Sequence, residues 1–277
     1  MKPPAGQTRP GFPLRMPTGV GTASATKTVA AGAHLSVATA LNYSIKAAQK
    51  PPAGTATGLG LDSAVVRSRM VQKLAAQGVQ DSRVLAAMSS VERHRFVDSA
   101  LVNQAYEDTS LPIGLGQTIS KPNVVARMLE LLIKGQQHQL GAKLGRVLEI
   151  GTGCGYQAAL LAQLATEVYS IERLRGLHDR ARDNLRPLRI ANLHLLFGDG
   201  MVGYAAGAPY AAIIAAAGGE AVPPAWLDQL AVGGRLVAPV QSASGGQALV
   251  VIDKSATGLS QTLLEAVHFV PLKSGVC

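Results

Sequence analysis

Gly151, Thr152, Gly153, Cys154 and Gly155 lie between a strand-like apolar run, 146–150, and a helix-forming run, 156–164. A strand that turns through three alternating glycines into a helix lets a ligand touch bare backbone. The helix N-terminus adds unpaired N–H groups and the positive end of a dipole. Two acids extend the pattern. Glu172 closes the next strand-like run, 168–171, about twenty residues after the first glycine, where doubly wound folds set a carboxylate against ribose hydroxyls. Asp199 stands in Gly198-Asp199-Gly200, just after the apolar run 193–197. An ionised carboxylate only accepts hydrogen bonds, so it suits a ribose diol or the exocyclic amine of adenine. Either acid alone reads as a solvated loop residue, and the glycine turn alone as a bare connection. At the ends of successive strands, the three predict a pocket for a nucleoside-bearing cofactor.

The place of the third glycine narrows the cofactor. The dinucleotide fingerprint is G-x-G-x-x-G, whose last glycine lets helix and strand pack closely beneath a pyrophosphate. Here Tyr156 holds that position and the glycine comes one residue early. G-x-G-x-G after a strand is similar to the loop of S-adenosyl-L-methionine-dependent methyltransferases, whose cofactor has no phosphate and presents an amino-acid end to the loop.

Composition sets the frame for these residues. At 277 residues and 47% hydrophobic content, the chain has room for one large domain and an appendage. Of the formal net charge of +9, Lys2, Arg9, Arg15, Lys27, Lys46 and Lys50 supply +6 in residues 1–61, which contain no acid. The body therefore has no cationic run that would track a phosphate backbone, and no nucleic-acid partner is expected. Residues 1–61 are rich in Ala, Gly, Thr, Ser and Pro and read as a disordered basic extension, similar in composition to a transit peptide. The apolar run 28–41 is too short and interrupted for a membrane span. Cys154 and Cys277 are too few for a disulfide framework or a metal cluster, which fits a reducing, cytoplasmic setting. His34, His94, His138, His178, His194 and His268 show no metal-ligand spacing, so no metal is expected.

The elements that must position the loop begin at Asp62. Val65, Val66, Met70, Leu74 and Ala75 recur at helical spacing, with Asp62 or Ser63 as cap and Gly78 as stop. Asp81 and Ser82 open a second helix with Val84, Leu85 and Met88, and a third starts at Pro122 after an irregular stretch, 96–120. From Arg146 the spacing predicts strand 146–150, helix 156–165, strand 167–171, helix 173–186, strands 193–197 and 211–215, helix 223–230 and strand 235–239. That alternation predicts an α/β, doubly wound, mostly parallel sheet covered by helices on both faces. Runs 248–252 and 266–271 are expected as an antiparallel hairpin on one edge. The methyltransferase domain is thus placed at 62–277, with a helical, substrate-side region at 62–134 and the cofactor-binding sheet at 146–277.

The sequence also resembles one family, the protein-L-isoaspartate O-methyltransferases. The matching residues are Arg93-His94-Arg95-Phe96-Val97, Ala105-Tyr106-Glu107-Asp108, Leu111-Pro112-Ile113-Gly114, Gly116-Gln117-Thr118-Ile119-Ser120-Lys121-Pro122, Gly198-Asp199-Gly200, Gly233-Gly234-Arg235-Leu236-Val237 and Phe269-Val270-Pro271-Leu272, besides the glycine loop. The likeness covers roughly 62–273, and Gln117 to Ser120 before a proline-started helix is its most specific part. It implies methyl transfer to the side-chain carboxylate of L-isoaspartyl, and D-aspartyl, residues of damaged proteins, the ester then collapsing to succinimide. It further implies Ser120 as the active-site serine. Gln117, Thr118, Ile119, the glycine loop and Arg173 would line the cofactor, Glu172 would hold the ribose, Asp199 with Gly200 would form the adenine-side loop, and Gln247 a further polar contact. A monomer is expected. Lys121 stands where glutamine is frequent, and Gly218-Gly219 is a second departure.

The chemistry agrees with so sparse a site. An isoaspartyl carboxylate, with a pKa of about 4, is already an ionised nucleophile at neutral pH and needs no general base. Charge disappears as carboxylate and sulfonium become ester and thioether, so a strong cationic clamp would stabilise the ground state more than the transition state. One neutral hydroxyl, that of Ser120, orients the acceptor without that penalty; the competing role for Ser120 is N-cap of the helix at Pro122. Two other readings stay open. A nucleic-acid amine methyltransferase would carry Asn/Asp-Pro-Pro-aromatic after the fourth strand, where this chain has Ala215-Ala216-Ala217-Gly218. A non-catalytic binding partner would not need Glu172 and Asp199.

Overall fold

The computed structural model describes residues 64–135, 143–243 and 245–277, all within one contact unit, Gly54–Cys277. The basic extension and the caps Asp62 and Ser63 lie outside these residues. Seven strands form one sheet: β3 (Leu144–Ile150), β4 (Ala165–Glu172), β5 (Leu193–Phe197), β6 (Tyr210–Ala215), β7 (Leu230–Gln241), β8 (Gln247–Ser255) and β9 (Gly258–Val267). Their spatial order is β5-β4-β3-β6-β7-β8-β9. The first five are mutually parallel, and β8 is antiparallel to both its neighbours. The strand order reverses between β3 and β6, which places the crevice of an open α/β sheet at the carboxyl end of β3.

Near-continuous apolar runs make the strands interior, because helices cover both faces. Along β3, Val147 joins one core cluster and Leu148 and Ile150 the other. The first cluster packs α1 (Ala64–Ala76), α2 (Ser82–Ser90), α3 (Pro122–Ile133), α4 (Tyr156–Leu164) and α5 (Arg175–Leu185) on one face. The second contains Trp226 of α6 (Pro224–Gln229), whose indole N–H donates to the Gly200 carbonyl. Asp81 caps α2 by accepting from Arg83 and Val84 amides, and Gly78, at φ +104°, ends the turn after α1.

Two expectations shift. The second strand of the edge hairpin is 258–267, not 266–271, because β9 lies at the sheet edge with almost every side chain exposed and so carries no apolar run to mark it. Residues after Val267 instead turn back: Gly218 N–H donates to the Val270 carbonyl, and Leu272 N–H to the Gly218 carbonyl. The irregular stretch before α3 contains a small hairpin, β1 (Leu111–Gly114) and β2 (Gln117–Ile119), turned by Gly114, Leu115 and Gly116, all at positive φ.

Candidate active site

A cavity of about 310 Å³ opens at the carboxyl ends of β3, β4 and β6. Its floor is Gly151, Thr152, Gly153 and Cys154, one wall is Glu172, Arg173 and Gly200, and its roof is the hairpin, with Gln117, Thr118, Ile119 and Ser120. Of the residues singled out in the sequence, Gly155, Asp199 and Gln247 do not line it.

The glycine loop differs from its expected chemistry. The amides of Gly151 and Thr152 both donate to the Ile171 carbonyl, that of Gly153 to Glu172 Oε2, and that of Gly155 to the Thr152 carbonyl. The loop therefore offers shape and carbonyls rather than bare donors. Donors come from the first turn of α4, whose N–H groups have no intrahelical acceptor and whose Tyr156 and Gln157 line the cavity. Gly151, Gly153 and Gly155 sit at φ +89°, +57° and +91°. A Cβ on Gly153 would come 3.2 Å from Ile113 Cδ1 in the hairpin, and one on Gly155 would come 2.7 Å from Leu185 Cδ1. Glycine here keeps the floor low beneath the hairpin and seats the loop on α5.

Glu172 is 5% exposed and held from two sides, its Oε1 accepting from Leu174 N–H and its Oε2 from Gly153 N–H, each at 2.9 Å. Each oxygen keeps a further lone pair for a ligand hydroxyl. Asp199 spends Oδ1 on the Met201 amide and Oδ2 on the Gly275 amide, so it shapes the wall through Gly200, where a Cβ would meet Ile150 Cγ2 at 2.6 Å. The Arg173 guanidinium turns to the Gly275 carbonyl and Cys277 Sγ. Gln247 exchanges two hydrogen bonds with the Phe269 backbone, fixing the segment from which Val270, Pro271 and Leu272 enter the wall. A Cβ on Gly218 would strike that Gln247 amide at 2.4 Å, so Gly218 is tight packing rather than slack.

Ser120 is not the cap of α3. Lys121 holds the N-cap position without a side-chain bond, and Asp108 Oδ1 accepts from the Asn123 amide in its place. No described residue hydrogen-bonds the Ser120 hydroxyl. Its carbonyl is held by Nη2 of Arg93, a fully buried guanidinium that also donates to the Ala105 carbonyl and stacks over Tyr156. Burial lowers the Arg93 pKa and pushes the Tyr156 phenol up to about 12. Burial also raises the pKa of Cys154, against any thiolate role.

A second cavity, of about 450 Å³, meets the first at Ser120, the one residue lining both. Ser110, Lys121 and Val124 form one side and the residues from Ala266 to Phe269 the other.

Sequence reasoning missed Glu149. It is fully buried beneath the loop and accepts from the Ser170 hydroxyl, which in turn pairs with Thr152 Oγ1. Burial raises its pKa to about 8, with Ser170 and the nearby Gln157 amide opposing the shift and the Glu172 charge adding to it. Its Oε1 and the Gln157 Nε2 make no other hydrogen bond. An acid inside an apolar strand run was the available signal. The residues 216–217 at the end of β6 are alanines on the cavity wall, with no polar frame to hold an amine.

The cavity fits S-adenosyl-L-methionine: a glycine-rich floor, a helix first turn for the amino-acid end and a two-oxygen acid for the ribose. Comparison with known proteins agrees. The family model described as Protein-L-isoaspartate(D-aspartate) O-methyltransferase (PCMT) matches residues 65–276. A protein-L-isoaspartate O-methyltransferase of Methylibium petroleiphilum is 66% identical over 223 residues, 80% of this chain and 82% of that protein. A solved structure of that name is 28% identical with a TM-score of 0.67, the match covering 75% of this chain and 66% of that one. A Plasmodium falciparum chain of the same family name, in complex with S-adenosyl-L-homocysteine, is 25% identical with a TM-score of 0.65, over 75% of this chain and 98% of that one. With the glycine loop, the serine hairpin and the β8–β9 edge all in place, the chain belongs to the protein-L-isoaspartate(D-aspartate) O-methyltransferase family of S-adenosyl-L-methionine-dependent enzymes.

Proposed function

We propose that this chain methylates the free carboxylate of L-isoaspartyl residues, and of D-aspartyl residues, in damaged proteins, with Ser120 as the catalytic residue. One observation carries the assignment: Ser120 stands alone at the junction of two cavities with its hydroxyl uncommitted. When bound, S-adenosyl-L-methionine supplies an electrophilic methyl group.

The chain's own residues bind, orient and exclude water. Glu172 holds the sugar hydroxyls from a position fixed by two amides. Gln117, Thr118 and Ile119 cover the cofactor from above, and Arg180 ties their hairpin to α5 through the Ile113 carbonyl. Arg93 fixes the Ser120 backbone, so the hydroxyl presents a donor to an acceptor carboxylate arriving through the second cavity. No residue needs to remove a proton, since the acceptor is ionised at neutral pH. Alignment is the main catalytic contribution, an effect that can supply about 7–11 kcal/mol. With Cys154 and Cys277 both free, the enzyme suits the cytoplasm.

The test is labelled methyl transfer to an isoaspartyl peptide. The expected product is a base-labile ester on that peptide and none on its normal aspartyl counterpart. A base-stable product, or equal labelling of both peptides, would overturn the assignment.

A further inference from the structure

Lys121 follows the catalytic serine directly and points its chemistry toward the acceptor rather than the cofactor. It lines the second cavity only, its side chain is exposed, and its ammonium makes no ion pair or hydrogen bond among the described residues. Across the cavity stands His268, also exposed. Among the described residues, no carboxylate lines this cavity. Of the acids on neighbouring segments, Glu265 is paired with Arg127 at 2.8 Å, and Asp108 accepts from the Asn123 amide, a bond that leaves its charge in place, and makes no ion pair with Lys121. On the cofactor side, Glu172 is the only lining carboxylate, bound by two amides, and Lys273 shares its cavity. The acceptor approach thus carries, one residue from the reacting centre, a positive charge with no ion-pair partner among the described residues.

We propose that Lys121 is a specificity-determining residue, selecting isoaspartyl segments with an acidic residue next to the damaged site. This rests on the isoaspartyl reading above. Consecutive Cα atoms lie about 3.8 Å apart, and an extended acceptor advances about 3.3–3.6 Å per residue. A carboxylate at Ser120 therefore brings the side chains of its neighbours within reach of the Lys121 arm. The pair forms in partly solvated surroundings, so its effect is modest: about a 2–5-fold gain for an acidic neighbour over a neutral one. A basic neighbour is penalised by a similar factor. Salt narrows both, because the Debye length falls from about 10 Å at 0.1 M to about 3 Å at 1 M.

The experiment compares three isoaspartyl peptides identical except for Glu, Ala or Lys beside the isoaspartate, by kcat/KM of methyl transfer at low and high salt. The wild type should rank Glu above Ala above Lys, with the ranking compressed by salt. Lys121→Gln should bring the Glu:Lys ratio close to one, and Lys121→Glu should invert it. Each ratio is taken on one enzyme preparation, so partial loss of fold cancels, and the salt series on the wild type tests the idea without any variant. Equal rates for all three peptides, or a ratio unchanged in Lys121→Gln, would overturn the selectivity and leave the isoaspartyl activity standing. If no peptide accepts methyl while S-adenosyl-L-homocysteine still binds, the proposed function fails, and the selectivity with it.

Discussion

Glu149 makes the loop's stability depend on pH in a direction opposite to that of most carboxylates. Its carboxyl is wholly buried, and burial raises its pKa from 4.5 to about 8. In the unfolded chain it ionises near its ordinary value, so between pH 4.5 and about 8 the folded state binds one proton more than the unfolded state. Stability from this group is therefore complete below pH 4.5 and is lost as pH rises through 8. At 1.36 kcal/mol per pKa unit, the loss between pH 4.5 and pH 7 is about 3 kcal/mol. Glu149→Gln keeps the shape, leaves a donor beside the Ser170 oxygen and removes the titration. Urea unfolding of both proteins from pH 5 to 8 should show the wild type losing stability against the variant by ~3–4 kcal/mol across the series. The difference should be smallest at pH 5. Parallel curves would mean that Glu149 titrates alike in both states, and the account of the buried acid would be wrong.

Other substitutions separate the parts of the site. Ser120→Ala should lower kcat/KM about 3–10-fold, the worth of one neutral hydrogen bond, while calorimetry with S-adenosyl-L-homocysteine gives a Kd within about twofold of wild type. Loss of cofactor binding would contradict the division of roles. Glu172→Gln sets a donor against the Gly153 or Leu174 amide and should weaken that same Kd about 10–100-fold, the range of a charge-assisted bond; an unchanged Kd would remove Glu172 from the sugar site. Gly155→Ala must accept φ +91° and a 2.7 Å approach to Leu185, so it should cost about 1–3 kcal/mol, read as a Tm lower by roughly 2–10 °C.

How much of this the sequence carried depended on whether a local pattern or a distant contact set the position. Strands β3 to β6 and the helices between them were legible because buried parallel strands are short apolar runs between helical periods. Strand β9 was not, since an exposed edge strand such as 258–267 has no buried face to impose alternation. Residues Gln117 to Ser120 and the glycine floor were legible as motifs, and the cavity brings them together. The partners of Asp199 and Gln247, at Gly275 and Phe269, were hidden because they join segments 76 and 22 residues apart through backbone groups, which leave no mark of residue type. Glu149 was visible in the sequence, but its protonation follows from burial, which only the packed sheet supplies.

The arrangement around Ser120 also explains why a buried cation can stand so near a reaction that consumes charge. Arg93 hydrogen-bonds the serine's own backbone, its Nη2 turned to the Ser120 carbonyl and its Nε to the Ala105 carbonyl. A guanidinium aimed at the acceptor carboxylate would hold the ion that must be neutralised, stabilising the reactant over the transition state. Bound to carbonyls instead, it fixes the backbone that carries the hydroxyl, and in the proposed reaction the hydroxyl alone meets the acceptor. Lys121 stands on the other side of that balance. It lies out in the second cavity, where its charge acts on a neighbouring residue that keeps its own charge throughout the reaction, and so contributes to binding without opposing the chemistry. Cation placement in this enzyme thus follows from which carboxylate must lose its charge.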